Sequence, residues 1–220
     1  MGKLILVRHG KTVLNSLDDE ERLRGWMDMP LDEQGLREAE VTAQRLAQYP
    51  VAHIYSSDLY RARQTADAAV RATLAPITHT SGLRPWNLGT LAGQCVQDIL
   101  PILQQLKLDP AMQAPGGESL HQFCDRYSKQ LEELLDFAAG SEECIVAVTH
   151  VRNLLAAPAL LYGGDRSQIP VSGGPKTGSL VWVEKNGRRW RVRVDEAPEL
   201  APSAPSVSKP LAYPRVFQGS

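Results

Sequence analysis

Two short apolar stretches of the sequence each end in polar residues that could bind and transfer a phosphoryl group. The first, Lys3–Val7, is followed by Arg8 and His9, and the second, Cys144–Val148, leads on to His150. At this length, a continuous apolar run with β-branched members favours a strand buried on both faces. Because ligands bind outside the carboxyl ends of parallel strands, both histidines should face one crevice if these strands are neighbours.

A third polar segment is expected to reach the same crevice. The strand predicted over Ala52–Ser56 is followed by a helix from about 58 to 74, and the first turn of that helix carries Arg61. The free N–H groups and the dipole of a helix N-terminus favour anions. Guanidinium groups match phosphoryl oxygens, and a histidine supplies either a proton or a lone pair, so the pattern predicts a phosphoryl-binding site.

Each of these residues alone also has a structural interpretation. Arg8 and His9 could be polar residues at a strand end, His150 a hydrogen-bonded core histidine, and Arg61 a surface residue of an amphipathic helix. Taken together, all of them fall where a doubly wound sheet places its ligand site. The other histidines lack that position and are interpreted as structural or exposed: His53, His79 and His121.

Strands and helices alternate along most of the chain. Further strands are expected at 77–80, 179–184 and 189–194, and helices near 32–47, 96–106, 119–135 and 151–162. This order predicts an α/β three-layer sandwich with a mainly parallel central sheet, helices on both faces and a smaller irregular or helical cap region. The Asn186-Gly187 pair predicts a two-residue turn between the last two strands.

The domain organisation follows from length and composition. The 220 residues, 43% of them hydrophobic, suffice for one large α/β domain. We expect a single domain over 1–195, with about 81–117 as an insertion or cap. Residues 196–220 are rich in Pro and Ser and predict a C-terminal tail, either loose or wrapped around the domain.

The charge balance and the cysteines limit the partners and the compartment. Twenty-four Lys and Arg residues face 25 Asp and Glu residues, giving a net charge of −1 and no general attraction to nucleic acid or anionic membranes. Three cysteines far apart fit neither a disulfide framework nor a zinc site. The N-terminal apolar run is too short for a signal peptide or a membrane span, so we expect a cytoplasmic protein.

Five collinear motifs resemble the histidine phosphatase superfamily, the phosphoglycerate mutase-like enzymes. They are LVRHGKT with Asn15, RGWMDMPLDEQGLREA, SSDLYRARQTA, PGGES and VTHVRNL, and together they run from about Lys3 to Glu184. The resemblance implies that His9 attacks phosphorus to form a phosphohistidine, which water then hydrolyses. Arg8, Arg61 and a protonated His150 would surround the phosphoryl oxygens.

The resemblance also implies the remaining contacts and the absence of a cofactor. Further contacts to phosphate or substrate are expected from four side chains: Thr12, Asn15, Arg24 and Trp26. No metal or other cofactor is expected, because the arginines and His150 supply the positive charge and no carboxylate cluster suited to Mg²⁺ is evident.

The sequence departs from the family pattern at two places. In the segment Leu83–Gly93 the glycines align, but Pro85 stands where the family has the Glu that protonates the leaving oxygen. General acid assistance typically raises the reaction rate by about 10²–10⁴-fold, so the absence of this Glu should slow the reaction. Asp98 and Glu118 are the nearest candidate replacements. The second departure is Val151, where the family has Gly.

These observations leave three functions open. The leading one is a metal-independent phosphatase acting on a small phosphomonoester, with the oligomeric state undetermined. A phosphoglycerate mutase would need a cationic cover over its site, and Lys107 is the one cation between Gly93 and Gly117. A catalytically weak phosphate-binding or interaction module is the third, suggested by the missing Glu.

Overall fold

The computed structural model describes residues 3–15, 21–186 and 189–200. Within these residues there are six strands: β1 (Lys3–Arg8), β2 (Val51–Ser57), β3 (Ile77–Thr80), β4 (Cys144–Thr149), β5 (Leu180–Asn186) and β6 (Arg189–Asp195). The same described ranges contain five α-helices: α1 (Glu33–Leu46), α2 (Tyr60–Thr73), α3 (Val96–Leu108), α4 (Leu120–Ala139) and α5 (Val151–Tyr162). The turn predicted at Asn186-Gly187 involves residues outside the described ranges.

All six strands form one sheet in the order β3-β2-β4-β1-β5-β6. The first four run parallel, and β5 and β6 are antiparallel additions at one edge. Strands β1 and β4 are neighbours, with Arg8 paired to Thr149, so the condition for the two histidines to face one crevice is met. The N–H of His9 continues this pairing by donating to the Thr149 carbonyl at 3.0 Å. The two candidate histidines therefore leave neighbouring strands at the same edge.

Helices cover both faces of the sheet, which confirms the three-layer architecture. Side chains alternate along β1: Leu4 and Leu6 join one buried cluster, while Ile5 and Val7 join another. The first cluster contains residues of α3, α4 and α5, and the second contains residues of α1 and α2. Every side chain from Leu4 to Val7 is fully buried, which explains why the sequence of this strand is a continuous apolar run.

A side-chain carboxylate accepts a hydrogen bond from a backbone N–H in the first turn of each of α1 and α2. Asp32 caps α1, accepting from the N–H of Gly35 at 2.7 Å. Asp58 stands just before α2 but does not cap it, because its carboxylate accepts two 2.7 Å hydrogen bonds from Arg84. Asp28, from a distant loop, instead accepts from the first N–H of α2 at 2.6 Å. That loop is thereby attached to the helix that carries Arg61.

The segment 81–117 packs directly onto the main domain. Its apolar side chains belong to the same buried cluster as those of α4 and α5, and they include Leu83, Trp86, Leu88, Leu91, Ile99 and Leu103. The start of the predicted tail is also attached to the domain, because Glu196 accepts from the Lys176 N–H and the Ser179 hydroxyl. Residues 201–220 lie outside the described ranges.

Two further properties concern the helices and the cysteines. Within the described ranges, no helix combines the length and the apolar character needed to cross a membrane. All three cysteines are buried and unpaired: Cys95, Cys124 and Cys144.

Candidate active site

The imidazole ring of His9 is oriented by the backbone carbonyl of the next residue. Its Nδ1 lies 2.7 Å from the carbonyl oxygen of Gly10. A carbonyl only accepts hydrogen bonds, so Nδ1 must carry the hydrogen in this contact. In the neutral ring Nε2 then carries the lone pair, which is the arrangement a nucleophile needs.

Close backbone packing holds the Gly10 carbonyl in place. A Cβ on Gly10 would come within 2.4 Å of the Gly35 carbonyl oxygen, and a Cβ on Gly35 within 2.0 Å of the Lys11 oxygen. The end of β1 therefore lies against the first turn of α1 at a distance that only glycine permits. The Gly10 N–H also donates to Thr65 Oγ1 of α2 at 3.1 Å, which ties the same residue to a second helix.

Arg61 joins His9 to the loop before α1. Its Nε donates to Nε2 of His9 at 3.2 Å, and its two terminal nitrogens donate to the carbonyls of Met27 (2.7 Å) and Gly25 (2.8 Å). Only 1% of Arg61 is exposed. The interpretation of Arg61 as a surface residue is therefore wrong, because the loop covers the helix turn that carries it.

His150 lies next to His9, as the strand pairing requires. The two ring centroids are 5.0 Å apart and the rings meet edge to face. Nε2 of His150 is 2.9 Å from the Ser57 hydroxyl at the end of β2. Its Nδ1 is buried and has no hydrogen-bond partner among the described residues. Three neighbouring strand ends thus contribute to one site.

Both histidines are neutral at pH 7. Burial lowers the pKa of His9 well below 6.5, and the charges of Arg61, Arg24 and Arg8 lower it further. The pKa of His150 is lowered in the same way, by burial first and then chiefly by Arg61. The expected protonated His150 is thus not favoured by the protein's own charges. A phosphoryl dianion bound beside it would oppose both effects and raise its pKa.

The surrounding arginines are buried with few carboxylates to neutralise them. Burial lowers the pKa of Arg61 to about 9 and that of Arg8 to about 10. One terminal nitrogen of Arg8 donates to the Pro175 carbonyl, whereas its Nε is buried without a partner among the described residues. Arg24 is paired with Glu21 at 2.8 Å. Such an excess of buried positive charge favours binding of an anion.

Four of the predicted residues share a small cavity of about 60 Å³: His9, Arg24, Arg61 and His150. Arg8 and Asn15 instead line a neighbouring pocket of about 470 Å³, and Glu21 lines both. Thr12, Trp26, Asp98 and Glu118 line neither. The structure therefore brings four of the predicted site residues together at one cavity and places the other six outside it.

The remaining predicted contacts position loops in this structure. Asn15 Oδ1 accepts from both the N–H (2.9 Å) and the hydroxyl (3.0 Å) of Thr12, which is fully buried. Trp26 donates to the Pro85 carbonyl at 2.8 Å, and Arg84 lies over its ring at 4.6 Å. These contacts shape the loops around the cavity without reaching into it.

Neither predicted proton donor faces the cavity. Asp98 is exposed on α3, and Glu118 is bonded to Arg126 at 2.6 Å and to the Asn87 N–H at 2.9 Å. Pro85 does line the cavity, so the position of the missing Glu lies where the resemblance implies. Among the described lining residues the one carboxylate is that of Glu21, which the sequence analysis did not select.

Arg152 is another charged lining residue that the sequence analysis missed. It stands in the first turn of α5, directly beyond His150 and Val151. The same reasoning that selected Arg61 in the first turn of α2 would have selected it. As for metals, the described ranges contain no group of three or more His, Cys, Asp or Glu side chains arranged to hold an ion.

Comparison with known proteins decides the family. The model of the histidine phosphatase superfamily (branch 1) matches residues 4–196. This chain belongs to that superfamily. A relative named probable phosphoglycerate mutase GpmB, from Yersinia pestis (strain Pestoides F), is 32% identical over 152 residues, which are 67% of this chain and 69% of the relative.

Solved structures of other proteins resemble most of the fold. A mycobacterial glucosyl-3-phosphoglycerate phosphatase is 26% identical with a TM-score of 0.75, covering 90% of this chain and 100% of that one. YhfR from Bacillus stearothermophilus is 27% identical with a TM-score of 0.73, covering 90% and 98%. The fold predicted from the sequence is confirmed by these similarities.

Proposed function

We propose that this chain is a metal-independent phosphatase that hydrolyses a small phosphomonoester through a phosphohistidine on His9. The observation that carries the proposal is the 2.7 Å contact from His9 Nδ1 to the Gly10 carbonyl, which puts the ring hydrogen on Nδ1 and the lone pair on Nε2, the nitrogen that faces Arg61. The lowered pKa of His9 keeps that lone pair unprotonated at neutral pH.

The reaction has two displacement steps. In the first, Nε2 of His9 forms a bond to phosphorus while the bond to the leaving oxygen breaks, and that oxygen takes up a proton from water. In the second, a water oxygen attacks phosphorus and gives up a proton to solvent, the N–P bond breaks, His9 regains its lone pair, and inorganic phosphate is released. Arg61 and His150 line the cavity and offer hydrogen bonds to the phosphoryl oxygens in both steps, and the nearby charge of Arg8 adds to the positive potential.

Pro85 limits the substrates of the first step. It cannot donate a proton to the leaving oxygen, and the exposed Asp98 and the paired Glu118 do not line the cavity. We therefore propose that esters with good leaving groups, which need little protonation, are hydrolysed faster than simple alkyl phosphates.

Quenched-flow labelling tests the proposal. The protein is mixed with a ³²P-labelled aryl phosphate and quenched in alkali. We expect an acid-labile, alkali-stable phosphoenzyme that decays to free phosphate, and no label on the His9→Ala variant. The exposed His121 serves as the matched control, since His121→Ala should label like the wild type. Release of phosphate by His9→Ala at the wild-type rate would refute the mechanism.

Relatives named probable phosphoglycerate mutase make a mutase the second candidate function. A mutase must hold its phosphoenzyme away from water while an intermediate reorients. Incubation with 3-phosphoglycerate separates the two functions: a phosphatase releases inorganic phosphate, whereas a mutase produces 2-phosphoglycerate. Binding of substrate with neither product would instead indicate a phosphate-binding module.

We also propose a cytoplasmic location with no nucleic-acid or membrane partner. The support is the net charge of −1 and the three buried, unpaired cysteines, which suit a reducing compartment. Fractionation of cells that produce the tagged protein tests this.

A further inference from the structure

One wall of the cavity is a segment without regular secondary structure, residues 84–88. It contributes Pro85, Trp86 and Leu88 to the lining, which are more apolar side chains than any other described stretch supplies. The phosphoryl oxygens need charged or polar partners, and Arg61 and the two histidines supply them on the other side of the cavity lining. An apolar wall cannot replace the hydration of a phosphoryl dianion, so we expect this wall to meet the leaving group.

A single side chain of α4 holds the backbone at the start of this wall. The guanidinium of Arg126 donates hydrogen bonds of 3.1–3.2 Å to four carbonyls, those of Ser81, Gly82, Arg84 and Pro85. Arginine can do this because its donors lie in one rigid plane and point in several directions. Arg126 itself is not among the residues that line the cavity. It therefore acts on the wall and not directly on the substrate.

Glu118 connects the same guanidinium to the far end of the wall. Its carboxylate accepts from Arg126 at 2.6 Å and from the Asn87 N–H at 2.9 Å. Its backbone carbonyl accepts from the indole N–H of Trp86 at 2.9 Å. Each of the four successive residues 84–87 is thus bonded to Arg126 or to Glu118. A segment with no helix or strand of its own takes its position from such contacts.

We propose that Arg126, held by Glu118, is a positioning residue that places this wall relative to His9 and thereby determines how the leaving group fits. The inference rests on the proposed phosphatase function and adds a residue to its first step. The leaving group occupies the cavity only until His9 is phosphorylated, and the second step involves only the phosphoenzyme and water. Loss of Arg126 should therefore slow phosphorylation and leave hydrolysis of the phosphohistidine unchanged. A residue that merely stabilises the fold would affect both steps alike.

Pre-steady-state kinetics with a ³²P-labelled aryl phosphate separate the two steps. Arg126→Lys can keep the ion pair with Glu118 but cannot reach four carbonyls, and we expect it to slow phosphoenzyme formation by about 10- to 10²-fold. The isolated phosphoenzyme should decay at the wild-type rate. Arg166→Ala is the matched control, because it removes a 2.7 Å ion pair with Asp125 of the same helix, a bond that does not involve the wall. An equal loss in both steps, or no loss in either, overturns the proposal.

Glu118→Gln is a second, milder variant. Its amide oxygen can still accept from the Asn87 N–H, but the charge that holds Arg126 is gone. We expect the same selective loss in phosphoenzyme formation, smaller than that of Arg126→Lys. A Glu118→Gln variant that slows only the decay of the phosphoenzyme would contradict the proposed role of the pair.

Binding measurements separate this inference from the proposed function, because they require no turnover. Phenylphosphonate presents an organic group together with its phosphoryl oxygens, whereas inorganic phosphate presents the oxygens alone. By calorimetry, we expect Arg126→Lys to bind phenylphosphonate about tenfold more weakly than the wild type does, and inorganic phosphate equally well. This difference in a protein that forms no phosphoenzyme would support the positioning role and refute the phosphatase mechanism. Equal weakening of both ligands, or of neither, overturns the positioning role.

Discussion

Nε2 of His9 accepts a 3.2 Å hydrogen bond from Nε of Arg61, so the nitrogen that attacks phosphorus is occupied by a group that also binds the phosphoryl oxygens. The lone pair becomes available only when a phosphoryl oxygen replaces His9 as the acceptor of this N–H. The carbonyls of Gly25 and Met27 hold the two terminal nitrogens of the guanidinium meanwhile. Substrate entry therefore exchanges one hydrogen bond without moving the arginine.

Replacing Arg61 tests this exchange. Arg61→Lys keeps a charge but loses the fork that spans His9 and the two carbonyls, and we expect kcat/KM for an aryl phosphate to fall by about 10²–10³-fold. Arg61→Ala should also lower the free energy of unfolding, by about 1–3 kcal/mol for each carbonyl left unsatisfied. Steady-state kinetics and urea unfolding measure the two effects. A kcat/KM for Arg61→Lys within threefold of the wild type, threefold being about 0.6 kcal/mol, would contradict this role.

Restoring a carboxylate at position 85 should increase activity towards poor leaving groups. Pro85 lines the cavity, and its carbonyl, which accepts from Trp26, is retained in any variant. We expect Pro85→Glu to raise kcat for an alkyl phosphate by about 10²-fold, because general acid assistance is typically worth that much or more. Little change is expected for p-nitrophenyl phosphate, whose leaving group needs no proton.

Pro85→Gln is the matched control for that experiment. It has the shape of Glu without its proton, so its alkyl phosphatase activity should stay at the wild-type level. An equal gain from Gln and Glu would mean that removing the proline ring, rather than adding an acid, causes the change.

The contact between Gly10 and Gly35 should be essential for both stability and activity. Alanine is normally preferred in a helix by about 1 kcal/mol, but a Cβ on Gly35 would lie 2.0 Å from the Lys11 oxygen. We expect Gly35→Ala to lower the free energy of unfolding by about 1–3 kcal/mol through overpacking. It should also lower kcat, since the displaced Gly10 carbonyl orients His9. Gly140→Ala, where the nearest atom is 3.7 Å away, should be tolerated in the same assays.

The two buried histidines should make the fold acid-sensitive. Both have folded-state pKa values well below 6.5, so the unfolded chain binds more protons than the native protein once the pH falls under that value. Their contribution to stability is fully present above pH 6.5 and is lost as the pH falls towards the folded-state pKa. Each histidine should cost about 1.4 kcal/mol per pH unit below the unfolded pKa.

Urea unfolding from pH 6.5 down to about 5.5 measures this loss before most carboxylates titrate. The double variant His9→Ala/His150→Ala should lose less stability over that interval than the wild type does. His121→Ala, which removes an exposed histidine, should follow the wild-type curve. Parallel curves for the wild type and the double variant would show that the two histidines do not carry the pH dependence.

The sequence predicts the sheet and the centre of the site well because both depend on strong local patterns. Apolar runs such as Leu4–Val7 identify buried strands, and the strand ends then place His9 and His150 at one edge. The cap of α1 by Asp32 is equally local. Such signals involve a few consecutive residues and are hardly changed by tertiary structure.

Contacts made by loops are what the sequence does not reveal. Asp58 has the appearance of a helix cap, yet Arg84 binds its carboxylate and Asp28 takes its place at α2. Glu118, a candidate acid, is held instead by Arg126 of α4. The first two of these pairings join residues that are far apart in sequence. None of the three follows from a periodic sequence pattern.

The position of the phosphoryl group on the imidazole tests the central claim most directly. Phosphorus NMR of the alkali-quenched phosphoenzyme distinguishes a ring phosphorylated on Nε2 from one phosphorylated on Nδ1, and peptide mapping assigns the residue. The hydrogen bond from Nδ1 to the Gly10 carbonyl predicts phosphorylation of His9 on Nε2. Phosphorylation on Nδ1, or on a residue other than His9, would contradict the account.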